Sequence, residues 1–400
     1  MSMWIGRILA LVVVNLLGYL VLKRLWPGLL NARRVGVFLA LTLLSLVAWT
    51  LLVALGLGPQ GQVPGLTAPL KLFFVGWTVA AMIVAVFGLP FLLVRWWRGR
   101  RAPALAVDPV SGAVDLERRS LLVNAGRAVP FLAMGTSSAG IATGISGFEV
   151  LEVEVRMKDL PPALEGFRIG QITDVHVGTF ISPEYVRQAV AAMNEAGVHL
   201  QVMTGDLIDD LTQLDETMEA LAGCRAQHGM VAILGNHEYW RGIGPILEGY
   251  KGLEKRGAPV RLLVDASHVL EHGGQRLRVV GVDYPMRSRR VGSKAEGFRR
   301  SSETAFQGTS PEELVLCLTH HPSFFPYAAE RGAHLTLAGH THGGQVALLG
   351  MPLFWFAFEF MLGRYRWKDR HLYVSGGTGH WLPFRIGVPP EVTILTLRAA

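Results

Sequence analysis

The sequence has few cysteines and few charged residues for its length. Only two cysteines, Cys224 and Cys317, occur among 400 residues. Two thiols exclude a disulfide framework and the cysteine-rich zinc modules, so any metal site must use histidines and carboxylates. Charged residues make up 17% of the chain and hydrophobic residues 50%, with a mean hydropathy of +0.33. This composition is more apolar than that of an ordinary soluble protein of this length.

The charges that are present divide unevenly along the chain. Residues 1–147 carry 13 Lys and Arg against three Asp and Glu, whereas residues 148–400 carry 25 against 28. The net charge of +7 therefore arises entirely in the first third. Basic residues that flank apolar runs favour membrane orientation over nucleic-acid binding, and the slightly acidic remainder argues against a nucleic-acid partner.

Apolar runs in residues 1–100 predict three transmembrane helices, each able to cross roughly 30 Å of hydrocarbon. They lie at about residues 3–22, which contain Arg7 and Asn15, and at 35–57 and 72–94, which contain no charge. Residues 101–147 are interpreted as a basic linker that ends in a weaker fourth span at 128–147. Lys and Arg in the first and third loops predict that these loops are cytoplasmic, by the positive-inside rule. A spanning fourth segment would leave the remaining chain extracytoplasmic. The alternative is an amphiphilic linker that keeps it inside.

From Phe148 onward the pattern is that of a globular domain. Apolar runs of strand length at 167–172, 200–203 and 230–234 alternate with a helical stretch at 183–196. The alternation predicts an α/β fold. Polar clusters follow the strands directly, where loops can converge on one site.

Five clusters of His, Asp and Asn occur in this domain. They are Asp174-Val175-His176, Gly205-Asp206-Leu207-Ile208-Asp209, Gly235-Asn236-His237-Glu238, His320-His321-Pro322 and Gly339-His340-Thr341-His342-Gly343-Gly344. Carboxylates, imidazoles and an amide suit Mn, Fe, Zn or a similar divalent ion. In an extended segment, Asp174 and His176 lie on one face, and so do His340 and His342.

This ordered series, DxH, GDxxD, GNHE, a late His before Pro and GHTH, resembles the calcineurin-like metallophosphoesterase superfamily. GHTHGGQ with the later Pro389-Pro390-Glu391 is similar to its bacterial membrane-linked subgroup. The resemblance covers residues 150–398 and implies a four-layer α/β/β/α sandwich for residues 148–400. With the predicted helices, the expected fold is this α/β sandwich preceded by an all-α multi-span membrane region. The expected location is the bacterial cytoplasmic (inner) membrane, with the catalytic domain extracytoplasmic.

The resemblance also implies a catalytic site with two divalent metal ions. One ion would be held by Asp174, His176 and His342, the other by Asn236, His320 and His340, and Asp206 would bridge both. Such a pair acidifies a bridging water to hydroxide, which attacks phosphorus. His237 would donate to the leaving or an equatorial oxygen, with Asp209 orienting its ring. Any one of these residues alone is more typical of a turn, a cap or a hydrogen-bonded core histidine.

Substrate contacts are assigned on weaker grounds. Arg385 and His380, the latter in a glycine-rich loop, are candidates for substrate binding. A basic run is interpreted either as a solvated loop or as a contact for anionic headgroups or phosphate: Arg287, Arg289, Arg290, Lys294, Arg299 and Arg300. Residues 351–365, rich in aromatics and Met, form either core packing or an apolar, membrane-facing substrate entrance.

The sequence therefore predicts a membrane-anchored, metal-dependent phosphoesterase that hydrolyses a phosphodiester, phosphomonoester or pyrophosphate bond. A lipid-linked or envelope substrate is favoured. The predicted partners are the lipid bilayer and a phosphorylated small-molecule or lipid substrate, with neither nucleic acid nor a protein partner. The alternatives are a membrane sensory protein with a phosphoesterase-like domain and a nuclease of the same superfamily.

Overall fold

A computed structural model describes residues 2–25, 67–101, 132–285, 293–348, 350–353 and 355–400. The chain divides into two compact units. One comprises Met1–Gly58 with Val63–Ala142, and the other Pro59–Gln62 with Thr143–Ala400.

The described part of the first unit is helical. Its helices are Ser2–Leu25, Thr67–Arg101 and a shorter one at 132–145, whose last turn belongs to the second unit. Trp77 Nε1 donates a hydrogen bond to Asn15 Oδ1 at 3.0 Å, and Ser137 Oγ donates to the carbonyl of Gly76 at 2.9 Å. Polar side chains thus link these helices.

The predicted all-α multi-span membrane region is wrong for the described residues, because none of their helices is both long enough and apolar enough to cross a membrane. The predicted multi-pass localisation is wrong on the same ground. The first predicted span contains Arg7 and Asn15, and in the structure Asn15 of the helix Ser2–Leu25 accepts a hydrogen bond. Of the candidate span at 128–147, the structure describes residues 132–147, in which a helix runs over 132–145. The span predicted at 35–57 lies outside the described residues.

The second unit contains two six-stranded sheets. The first has the order β1-β14-β2-β3-β4-β5, parallel except for the antiparallel pair β14–β2. Its strands are β1 Glu149–Met157, β2 Arg168–Ile172, β3 Leu200–Thr204, β4 Met230–Ile233, β5 Val260–Leu262 and β14 Glu391–Ala399.

The second sheet has the order β12-β13-β9-β8-β7-β6, with parallel pairing in its centre and an antiparallel pair at each edge. Its strands are β6 Ala266–His272, β7 Gln275–Gly281, β8 Leu314–Leu318, β9 Leu335–Ala338, β12 Gly363–Trp367 and β13 Arg370–Val374. A separate short hairpin pairs β10 Ala347–Leu348 with β11 Met351–Pro352.

Helices cover the outer face of each sheet. Those of the second unit are Pro183–Glu195, Leu214–Ala222, Asn236–Arg241, Ile243–Lys255, Lys294–Ala305 and Phe325–Glu330, with 3-10 turns at Pro162–Leu164, Leu211–Gln213, Pro322–Phe324 and His342–Gly344. In Pro183–Glu195, Val186, Ala189, Val190 and Met193 recur at helical spacing and are buried. The strands and the helix predicted between residues 167 and 234 are confirmed.

Three buried clusters separate the layers. Leu200 and Val202 of β3 meet Leu277 and Val279 of β7 between the sheets. The other face of the first sheet packs on one group of helices, and that of the second sheet packs on Lys294–Ala305 and Phe325–Glu330. Because side chains alternate along a strand, each central strand serves two of these cores. The α/β sandwich predicted for residues 148–400 is confirmed.

The five predicted clusters follow the carboxyl ends of central strands. Asp174 comes two residues after β2, Asp206 two after β3 and Asn236 three after β4. In the second sheet, His320 and His340 come two residues after β8 and β9. Parallel strands end at the same edge of a sheet, so the loops converge there.

Candidate metal centre

The backbone at the strand ends is left-handed at five residues other than glycine: Asp174, His176, Asp206, His340 and His342, with φ between 50° and 74°. Positive φ is uncommon outside glycine and concentrates at functional sites. Bonds between neighbouring loops hold this conformation. The N–H of Asp174 donates to the carbonyl of Gly205 at 2.9 Å, and that of His176 to the carbonyl of Asp206 at 3.0 Å.

A first cluster consists of Asp174, His176 and His342, all buried. The Nε2 atoms of His176 and His342 lie 3.1 Å apart, and His342 Nε2 lies 3.5 Å from Asp174 Oδ1. Two imidazole nitrogens and a carboxylate oxygen therefore face a common point, which is a donor set that borderline divalent ions accept.

A second cluster consists of Asp206, Asn236, His320 and His340. His320 Nε2 lies 3.2 Å from Asp206 Oδ2, 3.2 Å from Asn236 Oδ1 and 3.1 Å from His340 Nδ1. Asp206 Oδ2 is also 3.9 Å from His176 Nε2 of the first cluster. One carboxylate oxygen thus faces both groups.

Bonds from the surrounding chain orient these side chains. The His340 N–H donates to both carboxylate oxygens of Asp174, at 3.0 and 2.8 Å, and Thr173 Oγ1 donates to Oδ2 at 2.7 Å. His320 Nδ1–H donates to the Thr204 carbonyl at 2.9 Å, which leaves Nε2 for a ligand. Such outer partners fix the tautomer and ring orientation of metal-binding histidines.

Glu238 has a structural role for which the sequence analysis made no prediction. Its buried carboxylate accepts the N–H groups of Gly235 at 2.7 Å, Asp206 at 3.0 Å and Leu207 at 2.7 Å. It therefore ties the loop after β3 to the loop after β4. The signal was present in the sequence, because a Glu at the third helical position is typical of a capping box.

The charges of the site suit cation binding. Burial would raise the pKa of Asp206, but the neighbouring His320, His237 and His176 together outweigh it and hold the pKa well below its usual value. Burial and His320 lower the pKa of His340 to about 3, and burial and Arg385 hold that of His342 well below its usual value. Burial would lower the pKa of His320 and of His176, but the nearby aspartates outweigh it, so the pKa of His320 is raised to about 10 and that of His176 is raised as well. Metal binding requires ionised carboxylates and neutral imidazoles, so an ion would bind here by displacing protons from these two rings.

His237 and Asp209 lie beside the two clusters. His237 Nδ1–H donates to Asp209 Oδ1 at 2.5 Å, and Arg241 Nε donates to the same oxygen at 3.1 Å. The other ring nitrogen of His237, Nε2, is 3.8 Å from Asp206 Oδ2. His176, Asp209 and His237 also bring three possible ligand atoms within 4.8 Å of one another. The adjacent Arg241 cation opposes a further cation at that point.

The two predicted substrate residues are both buried. Arg385 is fully buried and donates to the carbonyls of His342, Gly376 and Gly379 at 3.1, 2.6 and 2.6 Å. Its Nη2 also donates to His342 Nδ1 at 2.9 Å. His380 is 2% exposed, and its ring nitrogens have no hydrogen-bond partner among the described residues. These contacts place Arg385 behind a candidate ligand, and substrate binding by either residue stays a prediction.

The remaining predicted segments differ in their outcome. Arg287, Arg289 and Arg290 lie outside the described residues. Lys294 Nζ lies 2.5 Å from His321 Nε2, next to the second cluster. In the segment 351–365, Met351, Trp355 and Phe356 are 69%, 69% and 72% exposed, so core packing does not explain them.

Comparison with known proteins points in the same direction. A family model described as calcineurin-like phosphoesterase matches residues 167–344. An uncharacterized metallophosphoesterase of Helicobacter pylori is 28% identical over 263 residues, which cover 64% of this chain and 66% of that protein. The uncharacterized metallophosphoesterase YkuE of Bacillus subtilis is 27% identical over 284 residues, which cover 67% of this chain and 94% of that protein.

A third relative is a Danio rerio protein described as a transmembrane protein with metallophosphoesterase domain. It is 27% identical over 274 residues, which cover 65% of this chain and 60% of that protein. This chain therefore spans just under two thirds of the length of the Helicobacter and Danio relatives.

Proposed function

We propose that this chain is a calcineurin-like, metal-dependent phosphoesterase with two divalent ions, and that it hydrolyses phosphate esters or anhydrides at the paired clusters around Asp206. The position of Asp206 Oδ2 supports this most directly. That oxygen is 3.2 Å from His320 Nε2 and 3.9 Å from His176 Nε2. A carboxylate shared in this way is suited to hold two cations close together.

The geometry of the two clusters supports the ligand assignment. Asp174, His176 and His342 would hold one ion, Asn236, His320 and His340 the other, and Asp206 both. The donor set fits, because it combines carboxylates with imidazoles, and outer hydrogen bonds orient His320 and Asp174. Two divalent ions there supply Lewis-acid chemistry, which acidifies water and neutralises charge on phosphoryl oxygens.

His237 is the proposed proton donor. Its Nδ1–H is held by Asp209, so Nε2 is the nitrogen that faces the clusters. A protonated Nε2 can donate to the oxygen that leaves phosphorus, while the Asp209 carboxylate stabilises the imidazolium and fixes the ring. Arg241 in turn holds Asp209.

A phosphorylated small molecule or lipid is the proposed substrate. Trp355 and Phe356 are largely exposed, and the ring centroid of the nearby Phe358 lies 5.8 Å from that of His340. Large exposed aromatic side chains usually mark a binding surface. The contact of Phe358, in the same segment, with His340 favours a phosphate group that carries an apolar substituent.

Hydrolysis by the purified full chain tests this function. Bis-p-nitrophenyl phosphate, p-nitrophenyl phosphate and pyrophosphate are supplied with Mn²⁺ and, separately, with excess EDTA. We expect Mn²⁺-dependent release of product from at least one of them, lost with EDTA and restored by added Mn²⁺. Turnover that is unchanged by EDTA would contradict the proposal, and so would tight binding of these compounds without turnover of any.

A further inference from the structure

Trp240 is an exposed tryptophan that lies directly beside the proposed proton donor. It occupies the helix Asn236–Arg241, three residues after His237, so both side chains lie on the same helical face. The ring centroids of Trp240 and His237 are 4.6 Å apart, with an angle of 43° between the planes. Trp240 is 54% exposed, so much of its side chain remains accessible to solvent.

Other aromatic rings lie at the opposite cluster. Tyr284 contacts His320 and His340 with centroid distances of 5.8 and 5.9 Å, and Phe358 contacts His340 at 5.8 Å. Both are half-buried. Of the three rings that contact these histidines, Trp240, Tyr284 and Phe358, the most exposed is Trp240 beside His237.

The position of the proton donor determines where the leaving group lies. A general acid must come within roughly 2.6–3.2 Å of the oxygen that it protonates. The group attached to that oxygen must then lie against whatever is next to His237, and the exposed face there belongs to Trp240. Aromatic faces favour flat, unsaturated partners over saturated chains of similar size.

We propose that Trp240 is the leaving-group contact of this enzyme and that its substrates release a flat aromatic group from phosphorus. The inference rests on the proposed function and on the role given there to His237. In the reaction, a water oxygen forms a new bond to phosphorus as the bond from phosphorus to the leaving oxygen breaks. That oxygen keeps the bonding electron pair and takes the proton of His237 Nε2, which leaves a neutral imidazole, and the proton lost by the water restores the imidazolium.

The test compares two substrates whose leaving groups have similar acidity but different shape, phenyl phosphate and the phosphate monoester of a fluorinated alcohol. Wild type, Trp240→Ala, Trp240→Phe and Trp367→Ala are assayed as full chains with Mn²⁺. Trp367 on β12 is a matched control, because it is 44% exposed and its ring lies beside Lys368. We expect Trp240→Ala to lower the ratio of kcat/KM for phenyl over fluoroalkyl ester by about 10-fold, and Trp240→Phe to retain most of it.

A binding measurement separates leaving-group contact from a packing role. Calorimetric titration with phenylphosphonate and with inorganic phosphate should show weaker phenylphosphonate binding in Trp240→Ala, with phosphate binding and metal content unchanged. Equal loss for both substrates, or equal loss of both ligands, would overturn the inference, because Trp240 would then act by supporting His237. A wild type that hydrolyses neither ester and binds no metal would instead refute the proposed function.

Discussion

His237 faces the metal clusters through one ring nitrogen and Asp209 through the other. Asp209 is itself held by Arg241 Nε, so a chain of polar contacts runs away from the clusters. A residue in this position can affect proton transfer without affecting the metal ions. A proton donor can therefore be told from a metal ligand, because its loss lowers the rate and leaves the metal content unchanged.

His237→Ala should therefore retain both metal ions and lose rate. The expected loss in kcat is on the order of 10²–10⁴, which is the usual contribution of a general acid. Metal content by mass spectrometry and kcat with bis-p-nitrophenyl phosphate are measured on the same preparation. A fall in metal content of the variant would show that His237 is a ligand.

At the residue scale, the order of the motifs made most of the candidate site predictable. Polar residues follow directly after buried strands, and the structure brings them together: Asp174, His176, Asp206 and His320. Contacts made through the backbone were harder to foresee. The sequence predicts Arg385 only as a candidate substrate contact. In the structure its guanidinium is buried against carbonyls of the loop 376–383, a contact that depends on how this loop folds.

At the scale of elements, the strand-end loops approach one another too closely for side chains at certain positions. A Cβ atom added to Gly339 would lie 2.1 Å from Asp174 Oδ2 and 2.2 Å from Thr173 Oγ1. Real Cβ contacts do not occur at such distances, so the loop after β9 or the loop after β2 would have to move. Glycine is required there by close approach.

Gly339→Ala should consequently displace Asp174 and weaken metal binding by at least about 10-fold, the scale of an outer-contact loss. Gly252→Ala is the matched control. Gly252 lies in the helix Ile243–Lys255 with nothing near its would-be Cβ, and alanine there should stabilise the helix by up to about 1 kcal/mol. Mn²⁺ titration by calorimetry distinguishes the two, and equal Mn²⁺ affinity in both variants would show that the loop tolerates the methyl group.

A second element-scale feature joins β7 to the start of β8. Glu313 accepts hydrogen bonds from Arg278 Nε at 2.5 Å and Nη2 at 3.1 Å. The Arg278 guanidinium holds the pKa of Glu313 below its ordinary value of 4.5. A carboxylate with a lower pKa in the folded chain stabilises it above the unfolded pKa, and this contribution is lost as the pH falls through the folded pKa.

Glu313→Gln should therefore lower the free energy of unfolding at pH 7, and the difference from wild type should shrink as the pH falls below 4.5. Thermal unfolding at several pH values measures this. Glu312→Gln, at a neighbouring exposed position, is the control and should change little. A difference between Glu313→Gln and wild type that stayed constant down to strongly acidic pH would exclude the ionised carboxylate as its source.

The helix with apolar residues at a regular helical spacing was predictable, whereas the membrane spans predicted from apolar runs were not. The helix Pro183–Glu195 shows apolar residues at helical spacing and was located within one residue of its end. The predicted spans are apolar on almost all sides, so no such spacing supported them. Asn15 illustrates the difficulty, since its hydrogen bond to Trp77 depends on a helix more than 60 residues away along the chain.

At the scale of the whole molecule, metal binding and folding should be coupled. The ligands come from five separate strand-end loops, which are brought together only in the folded chain. A ligand that binds only the folded state stabilises it by about 2.7 kcal/mol at 100 times its Kd.

Saturating Mn²⁺ should then raise the Tm of the second unit by roughly 5–10 °C, given about 2–4 °C per kcal/mol for a domain of this size. Differential scanning calorimetry of the full chain with Mn²⁺ and with EDTA measures the shift. Mg²⁺ is a useful comparison, because imidazole ligands favour Mn²⁺ over it. Equal shifts with Mg²⁺ and Mn²⁺ would contradict binding through histidines.

Metal stoichiometry measured together with hydrolysis tests the two-metal phosphoesterase most directly. Wild type and Asp206→Asn are reconstituted with Mn²⁺, freed of excess metal, and assayed with bis-p-nitrophenyl phosphate on the same samples. We predict close to two ions per chain and Mn²⁺-dependent turnover for wild type, and fewer than two ions with turnover reduced at least about 100-fold for Asp206→Asn, because its carboxylate faces both clusters. Two bound ions with near-normal turnover in Asp206→Asn would contradict the shared carboxylate, and a wild type without metal or turnover would contradict the function itself.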